Sequence, residues 1–278
     1  MRELAHLVPN ERNHPLFGEF HMSIRNLILG GACALALSAV ASGAALAGFA
    51  GTISGDYGNL HASGGGSADS WGGNVQGMFG VGPGWSVEVD GGYHNISASG
   101  LNLDNWTVSG DAIWTGTKGR LAAQVGYDDT SGAGSLHATN YGLVGEWWAQ
   151  PSFTVSGKGG AFSGSGGGDG YYLGGALTGY IHDNFALSGG IDYTHLNHAG
   201  NETDYTAQGE WLISETTPIS VFGGYTYSDI SGFGGHIDTW FVGLRFYTDG
   251  PGPMTLNDRQ HQGALLPTDN FGPTILKF

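Results

Sequence analysis

From Phe49 to Tyr247 apolar and polar residues alternate with a period of two, in segments of about 9–14 residues parted by Gly, Ser, Asn, Asp or Pro. The alternation predicts twelve strands, over 49–61, 70–81, 84–96, 103–115, 119–130, 136–149, 152–163, 170–181, 184–195, 203–215, 219–229 and 236–248. Their two faces differ in solvent. In the third segment Trp85, Val87, Val89 and Tyr93 share one face, and Ser86, Glu88, Asp90 and Gly92 share the other. The ninth sets Phe185, Leu187, Ile191 and Tyr193 against Ser188, Asp192 and Thr194, and the tenth sets Tyr205, Ala207, Trp211 and Ile213 against Gln208 and Glu210.

Aromatic residues recur near both ends of the apolar face: Phe49 with Tyr57, Trp71 with Phe79, Trp85 with Tyr93, Trp106 with Trp114, Phe185 with Tyr193, and Trp240 with Phe246. Eight residues at about 3.3 Å each span roughly 26 Å, or about 20 Å of depth after a strand tilt of about 40°. A soluble sandwich scatters its rings through a core; two levels of rings mark the two interfaces of a bilayer. The fold class expected is all-β, a transmembrane antiparallel up-and-down β-barrel of about 12 strands, and an even number suits a single-chain barrel.

The connections sort into two kinds. Tight turns follow the even-numbered strands, as at Gly82-Pro83-Gly84 and Gln150-Pro151, and longer polar segments follow the odd-numbered ones, as at Ala62–Asp69 and Ser163–Asp169. Short periplasmic turns and longer external loops are the habit of outer-membrane barrels.

Residues before the alternation read as processing signal. Arg25, an apolar run from Leu27 to Val40 and Ala45-Leu46-Ala47 have the order of a secretory signal peptide, over 22–47. Residues 1–21, polar and ahead of Met22, read as an over-extended leader. The barrel is then 48–249 and residues 250–278 a periplasmic tail, in which Pro251, Pro253, Pro267 and Pro273 resist strand formation. The expectation for that tail is a solvated segment; a plug folded into the lumen is the alternative. Cys33, inside the signal, is the one cysteine, so disulfides do not brace the exported chain.

Composition narrows the partners. From Gly48 onward six Lys and Arg face twenty-one Asp and Glu, which argues against nucleic acid. The 53 glycines are interleaved with Trp, Tyr, Phe and Val and therefore belong to strands, not to a low-complexity chain.

The last strand, Thr239-Trp240-Phe241-Val242-Gly243-Leu244-Arg245-Phe246, resembles the aromatic-ended closing strand that the barrel-assembly machinery reads in outer-membrane proteins. With the signal and the meander, residues 48–249 resemble the porin-like and small outer-membrane barrel families of Gram-negative bacteria. The resemblance implies an assembly signal in Trp240, Gly243, Leu244 and Phe246. It also implies the bacterial outer membrane as location, and outer-membrane lipid, lipopolysaccharide and the assembly machinery as partners. In those families the closing strand usually ends the chain; here about 30 residues follow.

If the polar face is the lumen, its charges are Asp56, Glu88, Asp90, Asp111, Glu146, Asp192 and Glu210, with Arg120, Lys158 and Arg245 as bases. A mid-strand base facing lipid costs about 2–4 kcal/mol, which directs these charges inward. Glu146, on a strand between those of Arg120 and Lys158, suggests a cross-strand charge network. Two functions suit such an interior: a channel for passive diffusion of small hydrophilic solutes, cation-preferring because its wall is acidic, or a non-conducting barrel with a structural, adhesion or surface-interaction role.

No cofactor, metal or catalytic site is expected. His137-Ala138-Thr139-Asn140 resembles the His-x-Ser-Asn segment of outer-membrane phospholipases only faintly, with Thr for Ser and Tyr141 where glycine belongs. His195 and His198 beside Asp192 and Glu202 offer metal-ligand chemistry in a loop, where solvation is the simpler account.

Overall fold

The computed structural model describes residues 49–248, apart from the loop tips 99–100, 133–134, 166–167, 198–199 and 232–234, and residues 254–265. The leader and signal segments lie outside the described residues, as does 266–278.

The described residues form twelve strands: β1 (Phe49–Ala62), β2 (Ser67–Gly82), β3 (Trp85–Ala98), β4 (Leu101–Gly116), β5 (Gly119–Ser131), β6 (Ser135–Gln150), β7 (Phe153–Gly164), β8 (Gly170–His182), β9 (Phe185–Leu196), β10 (Gly200–Ser214), β11 (Thr217–Ile230) and β12 (Gly235–Tyr247). A short helix follows, α1 (Leu256–Gln262). Each strand pairs antiparallel with its sequence neighbours, and β1 pairs with β12 from Thr52↔Tyr247 to Ala62↔Ile237, so the sheet is a closed barrel. The expected strand number and order stand.

One correction concerns the loops. Both kinds of connection are short, because the strands run past the apolar belt and take up most of the polar segments. Tight turns such as Pro83-Gly84 and Pro151-Ser152 close one end, and links such as 63–66 and 165–169 close the other. Pairing persists into the polar zone because its residues bond across strands on the outer face. Tyr57 Oη donates to Asp69 at 2.6 Å, Asn59 donates to the same carboxylate at 3.0 Å, and Tyr93 Oη donates to Asp104 at 2.5 Å.

The outer face is apolar where lipid would touch it: Val125, Leu143, Leu173, Leu177, Ile191, Val242 and Leu244 are all about half exposed or more. Rings bound this belt at two levels. Phe49 meets Phe79 at 5.1 Å near the tight-turn end; toward the loop end Trp71 meets Tyr93 at 5.4 Å, Trp106 meets Tyr127 at 5.4 Å, and Tyr225 meets Trp240 at 4.7 Å. The outward carboxylates Asp69 and Asp104 sit beside the tyrosines of the second level, where headgroups rather than acyl chains would meet them.

Inside, glycine on one strand makes a bed for a ring on another. A Cβ on Gly224 would stand 2.7 Å from the Phe241 ring and 2.3 Å from the Ala207 carbonyl oxygen, and one on Gly243 would stand 2.4 Å from the Phe222 ring. Tyr172 lies across Gly142 and Gly160, and His94 across Gly72. Rings held flat against the wall in this way fill less of the interior, which gives the high glycine content a structural use.

Gly224→Val should therefore destabilise the barrel by about 1–3 kcal/mol, the usual cost of overpacking. Gly179→Val, at a position where an added Cβ meets nothing, should leave it unchanged. Urea unfolding of the two variants in detergent, followed by heat-modifiable gel migration, checks the contrast.

Candidate functional site: the barrel interior and its plug

Strand alternation turns every even-numbered residue of β3 inward, and the same logic around the ring carries the expected charges into the lumen. Glu88, Asp111, Arg120, Glu146, Lys158, Glu210 and Arg245 are buried there, each at most 7% exposed, and Asp90 and Asp192 line the same face. Charges this deep persist only when paired and hydrogen-bonded. Arg120 Nε donates to Glu146 at 2.7 Å across the β5–β6 ladder. Arg245 donates to Glu210 at 2.5 Å, and Ser220 Oγ and Tyr247 Oη donate to the other oxygen of that carboxylate at 2.5 and 2.6 Å.

The charge network reaches one strand further at Lys158. Its Nζ reaches Asp192 on β9 at 3.0 Å, passing over Gly174, where an added Cβ would stand 1.9 Å from the Asp192 carboxylate. The intervening residue is glycine, so β8 places no side chain between the partners. Sequence reading also missed Glu202 and Asp204, inward residues of β10 at 1% and 6% exposure. Glu202 falls in the segment read as loop, and Asp204 lies within the expected strand 203–215, on the face of Gln208 and Glu210 that the alternation already turns inward.

The larger correction is the tail. Residues 254–265 are not solvated; they fold back into the tight-turn end of the barrel, as the plug alternative had it. Thr255 caps α1, its hydroxyl accepting from the Asp258 N–H while the Asp258 carboxylate accepts from the Thr255 N–H. The Leu256 N–H donates to the Asp183 carbonyl at 2.7 Å and the Met254 N–H to that of Glu215 at 3.1 Å, which fixes the segment to two turns of the rim. Asn257 also bonds to the Pro151 carbonyl, in a third turn.

Deeper in, the barrel supplies what the end of a helix lacks. A helix leaves its last carbonyls without intrahelical partners. Arg120 donates to the carbonyls of Gly263 at 2.6 Å, Gln260 at 3.0 Å and Ala264 at 3.0 Å. The Leu265 N–H donates to Glu88 at 2.8 Å. Gln260 accepts from Tyr180 Oη at 2.7 Å and donates to Glu210 at 3.2 Å. Leu256 packs with Tyr180, Ala186, Leu212 and Tyr247, and Leu265 with Ile113, Ala122 and Val144. The segment thus touches the wall from β2 around to β12 and lies across that mouth.

Glu88, Asp90 and Asp111 gather their carboxylates within 4.8 Å on the wall beside Leu265. Such oxygens have the chemistry of a hard-cation site, but one of them already accepts from the plug backbone. Of the residues that the resemblance offers as an assembly signal, Trp240 and Leu244 face outward, Phe246 pairs with Ile53 and Ile219, and Gly243 lies beneath the Phe222 ring.

No family model matches this sequence, and no curated protein matches it. Solved structures do. An outer membrane channel from Pseudomonas putida F1 superposes with a TM-score of 0.52 at 10% identity, over 72% of this chain and 94% of that one. The KdgM porin gives 0.48 at 11% identity, over 69% and 98%. The translocator domain of the autotransporter NalP from Neisseria meningitidis gives 0.47 at 14%, over 80% and 97%. The resemblance to outer-membrane barrels therefore holds at the level of fold.

His261, in α1, lies against Trp148 at 4.9 Å and Tyr180 at 5.5 Å, with Nε2 2.8 Å from the Thr154 hydroxyl. Burial lowers its pKa, while Glu146 and Asp258 pull it up and Arg120 pushes it down. Since the docked imidazole resists protonation, docking is undiminished above the free-histidine value of about 6.5 and weakens as pH falls below it. Hydrogen exchange across 254–265, corrected for intrinsic rates, should quicken between pH 7.5 and pH 5, and His261→Asn should flatten the part of that dependence due to this ring. Arg120→Ala should release the segment at any pH, because it frees three carbonyls and takes the guanidinium from the buried Glu146, a loss of about 3–5 kcal/mol; limited proteolysis of the tail reads it.

Proposed function

We propose that this chain is a porin-like channel of the bacterial outer membrane, for passive diffusion of small hydrophilic solutes, and that residues 254–265 close it at the periplasmic mouth. The observation that carries the reading is the arrangement of the wall: a closed sheet, apolar outside and polar inside, whose one described obstruction is held by hydrogen bonds and not by the covalent sheet itself. The tight-turn end, which carries both ends of the barrel, faces the periplasm. Solutes pass when the segment leaves its seat.

Ion preference follows from the wall. Glu88, Asp90, Asp111, Glu202 and Asp204 outnumber the bases near them, so the open lumen holds a negative potential and favours cations. The outer-membrane location rests on the export signal, the two aromatic levels and the fold of the solved neighbours. Lipid and lipopolysaccharide are its surroundings, and the barrel-assembly machinery inserts it through the closing strand.

A second reading has an observation of its own. The seat of the tail engages Arg120, Glu88 and Glu210 at once, and a permanent stopper would need no less; a non-conducting barrel with a structural or surface role would look the same when closed.

Planar-bilayer recordings decide between them. The chain carrying its tail should show small or infrequent steps, and the chain ending at Asp249 should show larger, cation-preferring steps in a salt gradient. Silence from both, with folding verified by gel migration, assigns the barrel to the non-conducting reading.

A further inference from the structure

Above the plug, the wall from β7 to β10 is cut back into a small bay, open to the lumen and floored by Gln260. Its depth has a local cause. Gly174, Ala176, Ser188 and Gly190 face inward where other strands carry carboxylates or rings. The Lys158–Asp192 pair lies flat across Gly174 instead of projecting into the space.

The chemistry of the bay differs from that of the wall opposite. Both of its cations are matched at contact distance, Lys158 by Asp192 at 3.0 Å and Arg245 by Glu210 at 2.5 Å. Between the pairs stand the hydroxyls of Ser156, Thr178, Ser188 and Thr206 and the amides of Gln208 and Gln260. Thr178 and Ser188 bond to each other at 2.9 Å, and each hydroxyl keeps further capacity to donate or accept. Gln208 is 8% exposed, lines the bay, and its Oε1 has no hydrogen bond among the described residues. A buried amide oxygen of this kind calls for a donor from whatever enters.

We propose that this bay binds a small uncharged polyhydroxylated solute, such as a monosaccharide or polyol. An ion entering it would give up hydration without meeting an unmatched countercharge, and that cost is not returned. A polyol brings donors and acceptors together, as hydroxyl and amide walls require, and one of its hydroxyls satisfies Gln208. Toward the loop end the inner wall carries Phe162, Leu196 and Ile230, with Tyr172 and Ile237 packed against them. The acidic cluster of Glu88, Asp90 and Asp111 lies on β3 and β4, across the barrel, and Glu202 and Asp204 stand on β10 toward the loop end of the bay, so the general cation preference of an open lumen and a bay of matched charges coexist. The proposal deepens the channel reading, on which it rests for the route by which the solute arrives.

The test is equilibrium binding, which needs no conduction. Refolded protein carrying its tail, in detergent micelles, is titrated with glucose, gluconate and glucosamine, and contact is read by saturation-transfer NMR. Glucose should bind saturably, and the anionic and cationic analogues roughly tenfold more weakly, about 1.4 kcal/mol. Gln208→Leu and Ser188→Ala, each checked for gel migration of the folded barrel, should each weaken glucose severalfold. No saturable glucose binding, tighter binding of a charged analogue, or binding that both variants leave untouched overturns the proposal. Saturable binding by a barrel that is silent in bilayers keeps the bay and removes the channel.

Discussion

Closure of the β1–β12 ladder is the constraint on which the rest of this structure depends. Acyl chains offer no partner to a backbone N–H or C=O, so a sheet within a bilayer has to satisfy every one of these groups internally. Pairing Thr52 with Tyr247, and so on to Ala62 with Ile237, removes the two edges that a twelve-strand meander would otherwise expose. Once the sheet is closed, the period-two alternation has only two destinations. Residues such as Trp85, Val87 and Val89 go to lipid, and Ser86, Glu88 and Asp90 go inside.

A lumen filled with charge then has to solve its own electrostatics. The pairs Arg120–Glu146 and Arg245–Glu210 are nearly dry, and each takes further hydrogen bonds from groups around it. The tail does part of that work. Arg120 spends its remaining donors on the carbonyls at the end of α1, Glu88 accepts from Leu265, and Glu210 takes a further hydrogen bond from Gln260. In a water-filled mouth solvent would fill these positions. Exchange of protein groups for water is close to neutral in free energy, of order 1 kcal/mol per hydrogen bond, so a plug made this way is strong in sum and still reversible in principle. The opposite wall, cut back by Gly174, Ala176 and Gly190, is left as a recess beside the plug.

Much of this was legible in the sequence, for a physical reason. Strand alternation in a barrel is enforced by two solvents of opposite kind, so Leu173, Leu187 and Trp240 could not be confused with Asp192 or Glu210. Strand order followed as well, since tight turns such as Pro83-Gly84 leave antiparallel neighbours as the only pairing. The reach of the strands was less visible: Tyr57 and Asn59 bond to Asp69 and hold the ladder together where polarity reads as loop, and Glu202 was lost in another such segment. The Lys158–Asp192 pair was hidden because glycine at 174 lets a side chain cross a whole strand. The plug was obscured by its composition. Leu256, Leu265 and a Thr255 capping box mark a helix with a buried side, but the prolines around it drew attention to what the segment cannot form.

The claim at the centre of this account is that residues 254–265 sit in the lumen against β7 and control passage. The most direct test uses Thr154→Cys with His261→Cys, in a chain whose natural cysteine, Cys33, lies in the segment read as signal. The two side chains meet at 2.8 Å, so a short bifunctional thiol reagent should join them efficiently, hold the bilayer current closed, and lose that hold when a cleavable linker is cut. Failure to join while the barrel is folded, or the same current before and after cleavage, would contradict the account.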